Sequence, residues 1–250
     1  MERVDQATVS TFYTPVPLEP GAGVTLAEDI AHHMRVARLA VGAPVRLLDG
    51  AGMRGSGRLV RLSKSQALVE VDTVEHAEPP PPMHLLVPIA DRERMLWLAE
   101  KSTELALTSW RPVLWRRSRS VSPRGEGSTF QAKVRARMAA ALAQCEGPYI
   151  PATFPDATVE HAIAAAPAGD RWLLDPGGTP AAAQRPGGPV TIALGPEGGI
   201  ERAEHEQLLA AGFLPVSLGG NILRFETAGV AALAVGRALL AVHSPLPTDG

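Results

Sequence analysis

The segment VTIALGPEGG (Val190–Gly199) closes an apolar run at Leu194 and continues through Gly195, Pro196, Glu197, Gly198 and Gly199. Two more glycine-bearing segments lie near it in the chain, LLDPGG (Leu173–Gly178) and SLGGNILRFET (Ser217–Thr227). Ligands of open α/β sheets sit beyond the carboxyl ends of strands. Glycine lets backbone N–H and C=O groups approach such a ligand closely. Any one of these loops is adequately explained as a tight turn between a strand and a helix. Together, in the last third of the chain, they are expected to line one pocket. That pocket does not suit phosphate. A Walker loop requires Lys after its glycines, and the dinucleotide fingerprint requires GxGxxG after an early strand; neither is present. The Glu197 carboxylate would also repel a phosphate. The loops suit a ligand that is neutral or cationic where it meets them, and Glu197 itself is read as a carboxylate bonding loop N–H groups.

Strands and helices must carry these loops. Five apolar runs read as strands: MHLLVPIA (Met83–Ala90), RPVLW (Arg111–Trp115), RWLLD (Arg171–Asp175), PVTIAL (Pro189–Leu194) and LPVSL (Leu214–Leu218). Between them lie helical patterns over Asp91–Leu107, Ser128–Cys145, a stretch ending at Gly212, and Glu226–Val242. Alternation of this kind predicts an α/β domain with a mostly parallel sheet. It begins after four consecutive prolines, Pro79–Pro82, which have no N–H to donate and read as a stiff spacer. Before the prolines, the short runs TFYTPV, GVTLA, PVRLLDG, GRLVRLS and QALVEVDTV are separated by turn signals. They predict a small β-barrel with a short helix in EDIAHHMRVARL. The expected organisation is a barrel over residues 1–78, a linker over 79–82 and an α/β domain over 83–250.

Composition narrows the function classes. Apolar residues are 45% and charged residues 20% of the 250, as in a globular protein. The formal net charge of -2 gives no global field for a polyanion. A single cysteine, Cys145, excludes an internal disulfide framework and a multi-cysteine zinc site. It fits a reduced, cytoplasmic setting. The opening MERVDQATVS has no apolar core of a secretory signal, and no apolar run approaches the length of a membrane span.

The pair LGPEGGI and, some twenty residues on, LG..ILR.ETA resembles the signature of the RsmE family, ribosomal RNA uridine-N3 methyltransferases of the SPOUT, or trefoil-knot, superfamily. HHMRVARLAVGAPVRLLDG (His32–Gly50) is similar to that family's PUA-like RNA-binding barrel, and Arg94–Ser118 to its first βα unit. The resemblance covers nearly the whole chain. It implies a C-terminal α/β trefoil-knot domain, an S-adenosylmethionine cofactor, a homodimer and a ribosomal RNA substrate. The chain departs from the family at several points: LGGNILRFETA replaces LGPRILRTETA at Gly220, Asn221 and Phe225, AQCEG (Ala143–Gly147) replaces EQSGR, and basic residues usual in the family are missing in IADRERM and VSTFY.

On this resemblance the glycine loops hold a methyl donor with a neutral adenine and a cationic sulfonium. The cofactor residues implied are Leu174, Leu194, Gly195, Pro196, Gly198, Leu218, Gly219, Ile222, Leu223 and Thr227. Leu218, Ile222 and Leu223 equally suit ordinary core packing. Uridine N3 must lose a proton to attack a methyl group, so a carboxylate acceptor and a cation beside the developing anion are needed. Arg224 and Glu226 fill those roles in the LR.ET segment; Glu226 also suits a helix N-terminus. Eight basic residues lie between Arg111 and Arg137, with only Glu126 opposing them. Arg116, Arg117 and Arg119 there, with His33, Arg35 and Arg38 in the barrel, are the expected RNA-binding residues. Two other readings stay open from the residues themselves: an RNA-binding or ribosome-assembly relative without catalysis, or a paralogue acting on another RNA. A small-molecule enzyme with a nucleotide cofactor fits the α/β half but neither the barrel nor the arginines.

Overall fold

The computed structural model describes residues 9–120 and 126–243. The chain forms two compact units, one of residues 1–79 with 142–149, the other of 80–141 with 150–250. The division falls inside the proline run, and the short segment 142–149 clusters with the first unit.

In the first unit the elements are β1 (Ser10–Tyr13), β2 (Gly23–Leu26), α1 (Glu28–Val36), β3 (Pro44–Leu48), β4 (Met53–Leu62) and β5 (Ala67–His76). They make a curled five-stranded sheet in the order β1-β3-β4-β5-β2, with β1 parallel to β3 and the other pairs antiparallel. Register shifts at Ser56/Gly57 and Leu59/Arg61 bend the long β4. Alternate residues Val45 and Leu47 of β3, and Val69 and Val71 of β5, turn inward with Phe12, Val24 and Met34 to form a separate core. This is the PUA-like fold the sequence predicts.

In the second unit the order is β6 (Met83–Pro88), α2 (Arg92–Glu104), β7 (Ser109–Val113), α3 (Gly127–Cys145), β8 (Ala152–Thr153), α4 (Val159–Ala164), β9 (Asp170–Pro180), β10 (Val190–Ala193), α5 (Arg202–Ala210), β11 (Leu214–Ser217) and α6 (Phe225–His243). Six parallel strands pair in the order β11-β9-β10-β6-β7-β8. Strand β10 therefore inserts between β9 and β6, which is far earlier in the chain.

Both faces of this sheet are covered, as a parallel sheet requires. Met83, Leu85 and Val87 of β6 and Ile192 of β10 face one core, shared with α2, α3 and α6. Leu86, Leu173 and Ala193, their neighbours along the strands, face a second core with Val159 of α4 and Leu208 of α5. Helix α6 packs closely on α2 and on the sheet because two of its residues are glycine. A Cβ on Gly229 would lie 2.8 Å from Leu98 Cδ1, and one on Gly236 would lie 2.6 Å from Met83 Cε. The architecture is the SPOUT-type α/β fold.

Two expected strands are placed differently. The run expected over Arg111–Trp115 forms as Ser109–Val113, because β7 is registered on β6 from His84 and Trp115 turns into the second core. LLDPGG does not end β9. Leu173 pairs with Pro215 and Thr179 with Val216, so residues 174–178 bow out between two paired stretches of one strand. A Cβ on Gly178 would lie 2.4 Å from the carbonyl carbon of Pro215, so only glycine fits where the strand rejoins its partner.

Candidate active site

The bow in β9, the loop after β10 and the loop after β11 open on one cleft of about 500 Å³. Nine of the ten expected cofactor residues line it: Leu174, Leu194, Gly195, Pro196, Gly198, Leu218, Gly219, Ile222 and Leu223. The tenth, Thr227, lies on a neighbouring cleft with Glu226. Leu194 belongs to the buried core, but Ile222 is 91% exposed, so core packing does not explain that side chain. Apolar surface left open in a concave site favours an apolar ligand face. Asp175 and His205 also line the cleft, with His205 Nε2 3.4 Å from Asp175 Oδ2. The sequence gives no sign of that pair, because its members sit on separate elements. Asp175 also fixes the bow, its Oδ1 accepting from Gly177 N–H at 2.8 Å.

The GPEGG loop is held from outside by arginines. Arg117 Nη1 donates to the Gly198 carbonyl at 2.6 Å, and a Cβ on Gly198 would meet Arg117 Cβ at 3.2 Å. Arg116 N–H donates to Glu204 Oε1 at 2.8 Å. Glu204 in turn accepts from Glu201 N–H, closing a capping box that starts α5. The 3-10 turn Arg116–Ser120 is thus fastened to the loop it was not expected to touch. Among the described residues Glu197 bonds no loop N–H, contrary to expectation; its carboxylate pairs with Arg94 of α2.

Arg94 joins the loop to the start of α6. Its Nε lies 3.8 Å from Glu226 Oε1. Glu226 is 9% exposed, in the first turn of α6, where the helix dipole favours a carboxylate. Its Oε2 is buried without a hydrogen-bond partner among the described residues. A buried acceptor in that state is set up for a donor from outside. Arg224 lines the first cleft on the exposed approach to α6. The two expected catalytic residues therefore stand on either side of Phe225, one in each cleft. Arg94, like Asp175 and His205, is a residue that sequence reasoning missed.

The expected RNA-binding residues fall in both units. His33, Arg35 and Arg38 are exposed on α1 and just past its end, with His33 edge-on to Phe12 at 5.8 Å between centroids. Arg116 and Arg117 are exposed in the second unit; Arg119 lies in the same turn by its backbone, and Arg124 is outside the described residues. Glu126, the acid opposing this cluster, is buried and paired with Arg92 at 2.7 Å. Among the described residues no helix is long and apolar enough to cross a membrane.

Comparison with known proteins agrees with this geometry. Residues 77–237 match the RNA methyltransferase domain family and residues 26–72 the RNA methyltransferase PUA domain family. The chain is 30% identical over 236 residues to ribosomal RNA small subunit methyltransferase E of Synechocystis, covering 88% of this chain and 74% of that one. The enzyme of that name from Neisseria gonorrhoeae, solved with S-adenosylmethionine, superposes with a TM-score of 0.82 at 28% identity, covering 92% of this chain and 98% of the other. A methyltransferase of Legionella pneumophila, also solved with the cofactor, gives 0.82 at 25% identity over 92% and 97% of the two chains. With its PUA-like unit, its six-stranded parallel sheet and its glycine-loop cleft, the chain belongs to the ribosomal RNA small subunit methyltransferase E family of RNA methyltransferases.

Proposed function

We propose that the protein transfers a methyl group from S-adenosylmethionine to N3 of a uridine in 16S ribosomal RNA. The observation that carries this reading is the convergence of three glycine-bearing loops on one cleft with apolar walls and carboxylates beside them. Leu174, Leu218 and Leu223 supply faces for an adenine ring, and backbone groups around Gly195 and Gly219 supply its edge contacts. Asp175 and Glu197 suit the cationic parts of the same molecule. The bound cofactor supplies an electrophilic methyl group on a sulfonium. The protein's part is to hold the acceptor nitrogen in line with it.

Glu226 accepts the N3 proton, and Arg224 stabilises the negative charge that develops on the uracil oxygens. Arg94 faces Glu226 and links it to the cofactor loop through Glu197. Arg116, Arg117 and Arg119 bind the RNA backbone, and the PUA-like unit adds His33, Arg35 and Arg38. The protein is expected to act in the cytoplasm as a homodimer. Calorimetric titration tests the cofactor. S-adenosylmethionine should bind with one site per chain, and ATP and NAD should not. Selective binding of either nucleotide instead would overturn the reading.

A further inference from the structure

The cofactor cleft leaves a second concavity unexplained. About 570 Å³ in volume, it is lined by Glu93, Arg94, Trp97 and Glu100 of α2, Arg137 of α3 and Glu226 of α6. Residues 93, 97 and 100 share one stripe of α2 by helical spacing. The chain has four tryptophans. Trp110, Trp115 and Trp172 are no more than 1% exposed, whereas Trp97 is 45% exposed, with its indole on the wall of this concavity. An aromatic side chain of this size is normally drawn into the core.

The surrounding charges restrict what can lie on that indole. Arg94 already faces Glu226 at 3.8 Å, and Arg137 faces Glu100 at 3.4 Å. Among the described residues Glu93 has no ion-pair partner, so the walls carry a slight negative balance and no site for a phosphate. The unpartnered Oε2 of Glu226 needs a hydrogen-bond donor. A neutral planar ring meets all three conditions if it bears an N–H flanked by carbonyls. It stacks on the indole, donates to the carboxylate, and accepts from a guanidinium beside it. Uracil has that pattern, with N3–H between O2 and O4.

We propose that this second concavity receives the acceptor nucleobase of the RNA, stacked on Trp97, with its N–H directed at Glu226. The proposal rests on the methyltransferase reading above and assigns Trp97 as the residue that positions the base. It gives the ion-paired chain Glu197–Arg94–Glu226 a purpose, since this chain ties the cofactor loop to the base site.

Tryptophan emission tests this directly, because three of the four indoles are shielded in the core. A small-subunit RNA fragment carrying the unmodified uridine is titrated into the full-length protein. Wild-type emission should be quenched on binding, and Trp97→Phe should abolish the quench. Trp97→Ala should raise KM for the RNA about tenfold, as loss of one stacked base does. Its affinity for S-adenosylmethionine and its sedimentation should match wild type, and Trp97→Phe should restore KM. An unchanged KM in Trp97→Ala, or a quench that survives in Trp97→Phe, would overturn the proposal. So would a shift in oligomeric state in Trp97→Ala, which would assign the concavity to a second copy of the chain. A wild-type protein that binds the cofactor yet neither binds nor methylates RNA would instead defeat the methyltransferase reading itself.

Discussion

The two ends of α6 treat their polar groups in opposite ways. Near its far end, Arg237 donates to the carbonyls of Pro81 at 2.6 Å, Ala106 at 2.8 Å and Leu105 at 3.3 Å. Those of Leu105 and Ala106 belong to the end of α2, where helical carbonyls lack partners of their own. At the near end, Arg224 is exposed in a cleft and Glu226 keeps one buried oxygen without a partner among the described residues. Arg237 thus uses all three guanidinium nitrogens to tie α6 to the end of α2 and to Pro81. The near end leaves a buried acceptor open at a cost in stability, which on the proposed function a ligand offsets.

Substitutions at the two ends should separate these roles. Glu226→Gln should lower kcat by about 10²–10⁴-fold, the usual range for losing a general base, with Tm unchanged. A loss of Tm with turnover kept would return Glu226 to helix capping and erase the contrast. Arg237→Met should cost about 2–4 kcal/mol of stability, because three carbonyls lose a charged donor in a half-buried site. Denaturant unfolding measures this, and kcat per folded molecule should stay near wild type.

A smaller effect is expected at His84 on β6, whose Nδ1 lies 2.7 Å from Ser109 Oγ. Burial lowers its pKa below the ordinary 6.5. The unfolded chain then binds the proton more readily than the folded one. The stability contribution is complete above about pH 6.5 and is lost as pH falls through and below that value. His84→Gln should remove this dependence, so that Tm falls less between pH 7 and pH 5 than in wild type. Equal pH slopes in the two proteins would show that the ring is solvated.

Much of this was legible in the chain itself, and the failures have physical causes. The apolar runs of β6 and β10 and the glycines after Leu194 and Leu218 are local signals, so the cleft and nine of its lining residues follow from them. The bow in β9 was not legible, because Thr179 resumes pairing only through β11, which comes much later. Helix α4 has six residues, too few for a periodic pattern, and β8 has two. Arg94 was not legible because its partner Glu197 is 103 residues away. Arg117 is expected on RNA because arginine in a basic run signals phosphate, and the structure adds a second contact that the run does not signal. Its bond to the Gly198 carbonyl depends on the fold bringing that turn to the loop.

The measurement that tests the central claim most directly is transfer of a labelled methyl group to small-subunit RNA lacking its base modifications. Nuclease digestion and mass spectrometry would then locate the label. N3-methyluridine at a single site, absent with Glu226→Gln, is the predicted result. Label on another base, or on the ribose, would contradict the assignment of Glu226 as acceptor of the N3 proton.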